Sequence, residues 1–141
     1  MNSMFANTEL AVPDVSGWDV SNVTDMSSMF RFASSANPDV SAWNTLSLVD
    51  MIRMFESSGI TNPDLSNWNI DNVTSMNNLF GGVTLLTDVY DKLLSDLFSK
   101  GLNTGFSLGG GNSTYCNESE RNALEATGWT INDGGLDPNC P

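Results

Sequence analysis

Histidine is absent from the 141 residues, and only two cysteines are present. That removes the Ser-His-Asp triad, the Cys-His dyad and the ordinary zinc site in one step. Basic residues are scarce too. Five Lys and Arg face 17 Asp and Glu, for a formal net charge of −12. Such a surface repels phosphate backbones and anionic lipid, so nucleic acid is not an expected partner. No window approaches the roughly 20 apolar residues of a membrane-spanning helix, so direct membrane insertion is not expected either. The opening residues lack the basic stretch and apolar run of a secretory signal. Met1-Asn2-Ser3-Met4-Phe5 reads instead as the tail of a motif that recurs later, so the chain is expected to be a fragment of a longer protein. What is present is 40% apolar residues, with 7 Phe, 4 Trp and 7 Met. That suffices for a core in one domain or one repeat array.

The aromatic and methionine positions repeat. Trp18, Trp43 and Trp68 are 25 apart, as are Phe30, Phe55 and Phe80, with Phe5 one step earlier. Met26, Met51 and Met76 keep the step, and so do Pro13-Asp14, Pro38-Asp39 and Pro63-Asp64. The unit is P-D-[VL]-S-x-W-[DN]-x-x-x-[VL]-x-x-M-x-x-[ML]-F. Within a copy, Val23, Met26, Met29, Phe30 and Ala33 are spaced as one face of a short helix. Pro fixes φ ahead of a short extended piece from Asp14 to Trp18, and a polar residue after Trp favours a turn. The expected fold is therefore an α/β repeat solenoid of short strands and short helices over residues 1–80, closed by a C-terminal α/β cap over 81–141. In that arrangement each copy covers the apolar face of the last, and Trp, Met and Phe form internal columns rather than a ligand-binding row.

In the cap, Thr87 to Lys100 has a broad apolar face of Val89, Tyr90, Leu93, Leu94, Leu97 and Phe98, with Gly101 at its end. Asn117 and Glu120 have capping-box spacing ahead of a second helix ending at Gly128. Phe106 and Ile131 are again 25 apart, which places two further strands on the ladder. Cys116 and Cys140 bracket the last helix and strand. Two Cys enclosing a terminal segment point to a disulfide and an oxidising compartment, with two free buried thiols as the alternative.

Other constellations have plain readings. Asp14, Asp39 and Asp64 are expected to accept hydrogen bonds at solvated turns rather than to recruit a cation. Asp133, Asp137 and Asn139 lack the spacing of a calcium loop and read as a turn. Four Asn-x-Ser/Thr patterns begin at Asn22, Asn72, Asn112 and Asn117; Asn22 and Asn72 are better explained as turn or cap residues. Gly109-Gly110-Gly111 has no following Lys and is not a phosphate loop. No catalytic residue, cofactor or metal site is assigned, and a carbohydrate hydrolase is the least favoured reading.

The units PDVSGWDVSNVTDMSSMF and PDLSNWNIDNVTSMNNLF resemble the 25- to 26-residue repeat of BspA-like leucine-rich-repeat bacterial surface proteins. The tail, YDKLL followed by GGGNSTYCNESERNALEATGWTINDGG, resembles that family's usual ending. The resemblance implies a secreted or surface-displayed protein with roles in adhesion or environmental contact, and carries over no catalytic residue. The second copy departs, with Trp43-Asn44-Thr45-Leu46-Ser47-Leu48-Val49 in place of the D-V-S-N-V-T run. The expected function is a non-enzymatic module binding an extracellular protein or glycan. The alternative is a structural spacer or filament subunit, with contacts from the N-terminal edge to preceding repeats or other subunits.

Overall fold

The computed structural model describes residues 1–101 and 105–141. Its regular elements, in order, are helix α1 (Thr87–Ser99), strand β1 (Ser107–Gly109), helix α2 (Glu118–Ala126) and strand β2 (Thr130–Asn132). β1 and β2 pair in parallel, with Leu108 opposite Ile131. No described helix is long and apolar enough to cross a membrane.

This corrects the expected leucine-rich-repeat-like α/β solenoid. Residues 1–86 contain neither a helix nor a strand, only turns and isolated parallel bridges, Asp25–Asp50, Asp50–Ser75 and Met76–Leu108. The expected short helices fail for a backbone reason. Ser28, Arg53 and Asn78 have φ of 53–55°, and four residues later Phe32, Ser57 and Gly82 have φ of 53–73°. A left-handed residue every four positions cannot continue a right-handed helix. The i, i+3 spacing of the apolar residues is met by consecutive turns instead. The amides of Met29, Arg31 and Ala33 donate to the carbonyls three residues earlier, and those of Met54, Glu56 and Ser58 do the same.

The amides between these close no turn; they reach another segment of chain. Ser28, Phe30 and Phe32 donate to the carbonyls of Ile52, Met54 and Glu56 at 2.8–2.9 Å. Arg53, Phe55 and Ser57 donate likewise to Asn77, Leu79 and Gly81. Phe5, Phe30, Phe55 and Phe80 consequently lie ring on ring, with centroids 5.4, 5.7 and 5.6 Å apart and planes within 9°. The divergent second copy keeps the same turn. Leu48 donates to Thr45 as Val73 does to Ile70, and the buried Thr45 hydroxyl donates to the Asn69 carbonyl.

The core runs on into the second half. α1 buries Tyr90, Leu93, Leu94 and Leu97 while Phe98 stays largely exposed. Lys100 ties the end of α1 down, donating from Nζ to the carbonyls of Ser66 and Trp68 at 2.9 and 2.8 Å. β1 closes the turn segment: Phe80 donates to the Gly109 carbonyl, and Met76 bridges to Leu108. Gly109 and Gly111 press on that segment, and a Cβ at either would collide with backbone at Asn78 or Phe80. The expected Phe106–Ile131 step is not the register. Ser107 faces Thr130, and Phe106 packs its ring on Trp129 at 5.1 Å.

Candidate functional site

The residues singled out by the repeat divide between the interior and the edge. Met26, Met51, Met76, Phe30, Phe55 and Phe80 are buried. Trp43 and Trp68 are buried too, stacked at 6.0 Å, and their indole N–H groups donate to the carbonyls of Val15 and Val40 at 2.9 Å. Trp18 is half-buried, tilted against Phe5 at 5.8 Å. These side chains are packing groups and are not offered to a ligand. Cys116 and Cys140 form the expected disulfide.

The outward polar residues form a row of Asx turns. The Asp14 carboxylate accepts from the Ser16 hydroxyl and amide at 2.7 and 3.2 Å, and Asp39 accepts from Ser41 at 2.7 and 3.1 Å. Asp64 accepts from the Ser66 amide at 3.0 Å. A second row follows each Trp: Asp19, Asn44 and Asn69 accept from the amides of Ser21, Leu46 and Asp71. Short polar side chains that bond two residues on hold the backbone in a fixed turn. The serine hydroxyl and then the serine amide hold Asp14, Asp39 and Asp64 below the usual carboxylate range. The flanking carboxylates of Asp64 and Asp14 oppose this at Asp39.

Two adjoining hollows open beside this row. One, of about 330 Å³, is lined by Asn37, Pro38, Asp39, Ser41 and Asn62. The other, of about 130 Å³, is lined by Asn62, Pro63, Asp64 and the α1 residues Val89, Lys92, Leu93 and Asp96. Asn62 belongs to both; it is exposed, and its side chain makes no hydrogen bond to a described residue. Lys92 sits 2.7 Å from Asp96 and 3.6 Å from Asp64. The Asp96 hydrogen bond is the main reason its ammonium group is held above the usual lysine range.

All five cationic side chains are engaged. Arg31 and Arg53 meet Glu56, Arg121 meets Asp133 and Glu125, Lys92 meets Asp96 and Lys100 is bound to carbonyls. The hollows therefore offer amide, hydroxyl and carboxylate groups without a free cation, a set suited to hydroxyl and N–H partners. No three described carboxylates or cysteines converge as a metal site. Asp133 and Asp137 have other partners. Asp133 accepts from Tyr90 and Arg121 at 3.1 and 3.0 Å, and Asp137 accepts from Thr87 at 2.7 Å. Burial, with the Asp133 carboxylate adding to it, raises the Tyr90 hydroxyl well above its ordinary range.

Sequence reasoning placed Asn117 as the cap of α2, but its side chain donates to Ser95 instead. The carboxylate of Asp91 does the capping, accepting from the Cys116 and Asn117 amides at 3.0 and 2.9 Å. Nothing local in the sequence marks Asp91 for this, because its partners lie 25 and 26 residues away.

Residues 1–95 match the family model described as "Mycoplasma protein of unknown function, DUF285". No curated protein and no solved structure matches the chain.

Proposed function

The chain belongs to the DUF285 family, and from that footing we propose that it is a non-enzymatic binding module acting at the cell surface or outside the cell. The resemblance of its P-D-[VL]-S-x-W units to those of BspA-like surface proteins supports that reading. The Cys116–Cys140 disulfide supports an oxidising compartment. The observation that carries the binding role is Asn62. Its amide, with no hydrogen bond to a described residue, stands where two hollows meet, among Asx turns that fix their own backbone. A rigid array of amides, hydroxyls and carboxylates pays little ordering entropy when it meets a glycan or a polar protein surface.

The test is a screen of the chain against glycan and extracellular-protein arrays at physiological salt. The expected result is a ligand class whose binding falls about tenfold with Asn62→Ala, roughly the loss of one good polar contact. Asn112→Ala, at an exposed asparagine outside both hollows, should leave that binding unchanged. Silence across both arrays sinks the binding role and favours a spacer. The specific support for a spacer is the near-constant 5.4–5.7 Å ring separation, which would set length by the number of copies.

A further inference from the structure

One place on the surface breaks the repeat's own pattern. At the 25-residue step, three positions read Ser3, Ala6 and Asn7 in the first copy and Asn78, Gly81 and Gly82 in the last. The copies between put Ser28, Arg31 and Phe32, then Arg53, Glu56 and Ser57, at the same positions. Large side chains therefore stand here only on the two inner copies. Two of them stand where the backbone disfavours them. Phe32 has φ of 58° and Arg53 of 55°, in the left-handed region that suits Gly and Asn. A bulky side chain there is strained. Burial does not offset the strain at Phe32, which is 39% exposed and lies outside the column of stacked rings.

The four large side chains make one cluster. Arg31 Nε donates to Glu56 Oε2, and Arg53 Nε lies 3.8 Å from the same oxygen. The Arg31 guanidinium lies over the Phe32 ring, 4.4 Å from its centroid. The Phe32 amide donates to the Glu56 carbonyl at 2.8 Å, which fixes the backbone beneath. Arg31 is thus held by a carboxylate and by a ring, while its terminal nitrogens donate to no described residue. Two Arg against one Glu leave the cluster one positive charge in surplus, in a chain of net charge −12. Gly81 and Gly82 put no side chain beside Glu56 and Ser57, so the adjoining coil is bare.

We infer that Arg31, Phe32 and Arg53 form a site for a sugar carboxylate: a single uronic acid residue in an otherwise neutral glycan. A guanidinium fixed through Nε presents a planar pair of donors that matches a carboxylate. Arg53 adds a second positive charge beside it. The exposed part of Phe32 offers a surface for the apolar C–H face of the sugar ring. An acidic protein side chain would use the Arg31 fork but leave the strained Phe32 without a role. Polysulfated and polyphosphate chains are disfavoured, because the rest of the surface repels a polyanion. The cluster shares no residue with the hollows at Asn62, so this site goes beyond the role proposed for them and does not rest on it.

The experiment is an NMR titration of the full chain, labelled with nitrogen-15, with the methyl glycoside of glucuronic acid at physiological salt. Methyl glucoside, acetate and a tri-glutamate peptide are the comparison probes. The Arg31 Nε–H and the Phe32 amide should shift saturably with the glucuronide. The three comparison probes should bind at least about tenfold more weakly. Arg31→Lys keeps the charge but removes the fork, and should weaken glucuronide binding about tenfold. Phe32→Asn restores the residue of the first copy and should weaken it as well, with a melting temperature no lower than the parent's. The Phe55 amide should stay protected from exchange in both variants, so that lost binding is not lost fold. No saturable shift with the glucuronide overturns the inference, as does undiminished binding in either variant. Acetate binding as tightly as the glucuronide removes Phe32 from the site and overturns it too. Tighter binding of tri-glutamate overturns it in favour of an acidic protein partner.

Discussion

Trp43 and Trp68 each do two things at once. The ring fills space against its neighbour, and the indole N–H satisfies a carbonyl of a buried residue, Val15 or Val40. The two contributions are separable. Trp43→Ala removes both and should lower stability by about 3–5 kcal/mol. Trp43→Phe keeps most of the packing and removes only the indole bond, leaving the Val15 carbonyl with the Trp18 amide, and should cost about 1 kcal/mol. Urea unfolding of the two variants beside the parent checks the order. A Phe variant as damaged as the Ala variant would put the whole effect in the hydrogen bond. The 25-residue step that marks these tryptophans was plain in the sequence. Their N–H partners were not, because a carbonyl 28 residues back carries no side-chain signature.

At the level of elements, α2 is capped from another helix. Asp91 of α1 accepts from the Cys116 and Asn117 amides, so removing it should melt the start of α2 and loosen its seat on α1. Asp91→Ala is expected to cost about 1 kcal/mol, the usual worth of a cap, with Asn117→Ala costing less because Asn117 bonds only Ser95. Thermal unfolding followed by far-UV circular dichroism distinguishes the two; the reverse order would restore the local capping box. Both longer helices were legible in the sequence, since a wide apolar stripe and a following glycine mark α1, and Gly128 follows α2. The turns of residues 1–86 were not. Their left-handed positions are filled mostly by Ser, Arg, Asn and Phe, and only Gly82 announces itself. A run of turns also buries residues at spacings of three and four, so Met26, Met29, Phe30 and Ala33 imitate a helical face without forming one. The β1–β2 register failed for a related reason. Once the turn segments end, the chain no longer keeps a 25-residue step, and Leu108 meets Ile131 rather than Phe106 doing so.

Over the whole molecule, stability should depend on acid in one direction. Asp14, Asp39, Asp64 and Asp137 all have carboxyls lowered in the folded state, the first three by serine and Asp137 chiefly by the Thr87 hydroxyl. A lowered folded-state value means that the unfolded chain binds protons first. The stabilisation is complete above the unfolded carboxyl range, about pH 4 and upward, and is lost as pH falls through the lower folded values. Urea midpoints should be flat from about pH 5 to 7 and decline below about pH 4. Replacing the Asx-turn aspartates together by asparagine should flatten that decline, and an unchanged profile would remove these turns from the account. The disulfide acts at the same scale: by closing a loop of 24 residues' separation it restricts the unfolded chain by roughly 3 kcal/mol.

The alternation of amides along the first 86 residues has a mechanical consequence. Each segment is fastened to the next by a short row, such as the bonds from Ser28, Phe30 and Phe32 to Ile52, Met54 and Glu56, with single bonds beside it such as the Val49 amide to Thr24 and the Trp43 indole to Val15. Tension applied at the Met1 end therefore loads one row at a time. Yielding comes in discrete lengths, each releasing a single 25-residue period, or about 85 Å of extended polypeptide, while the rows beyond it still hold.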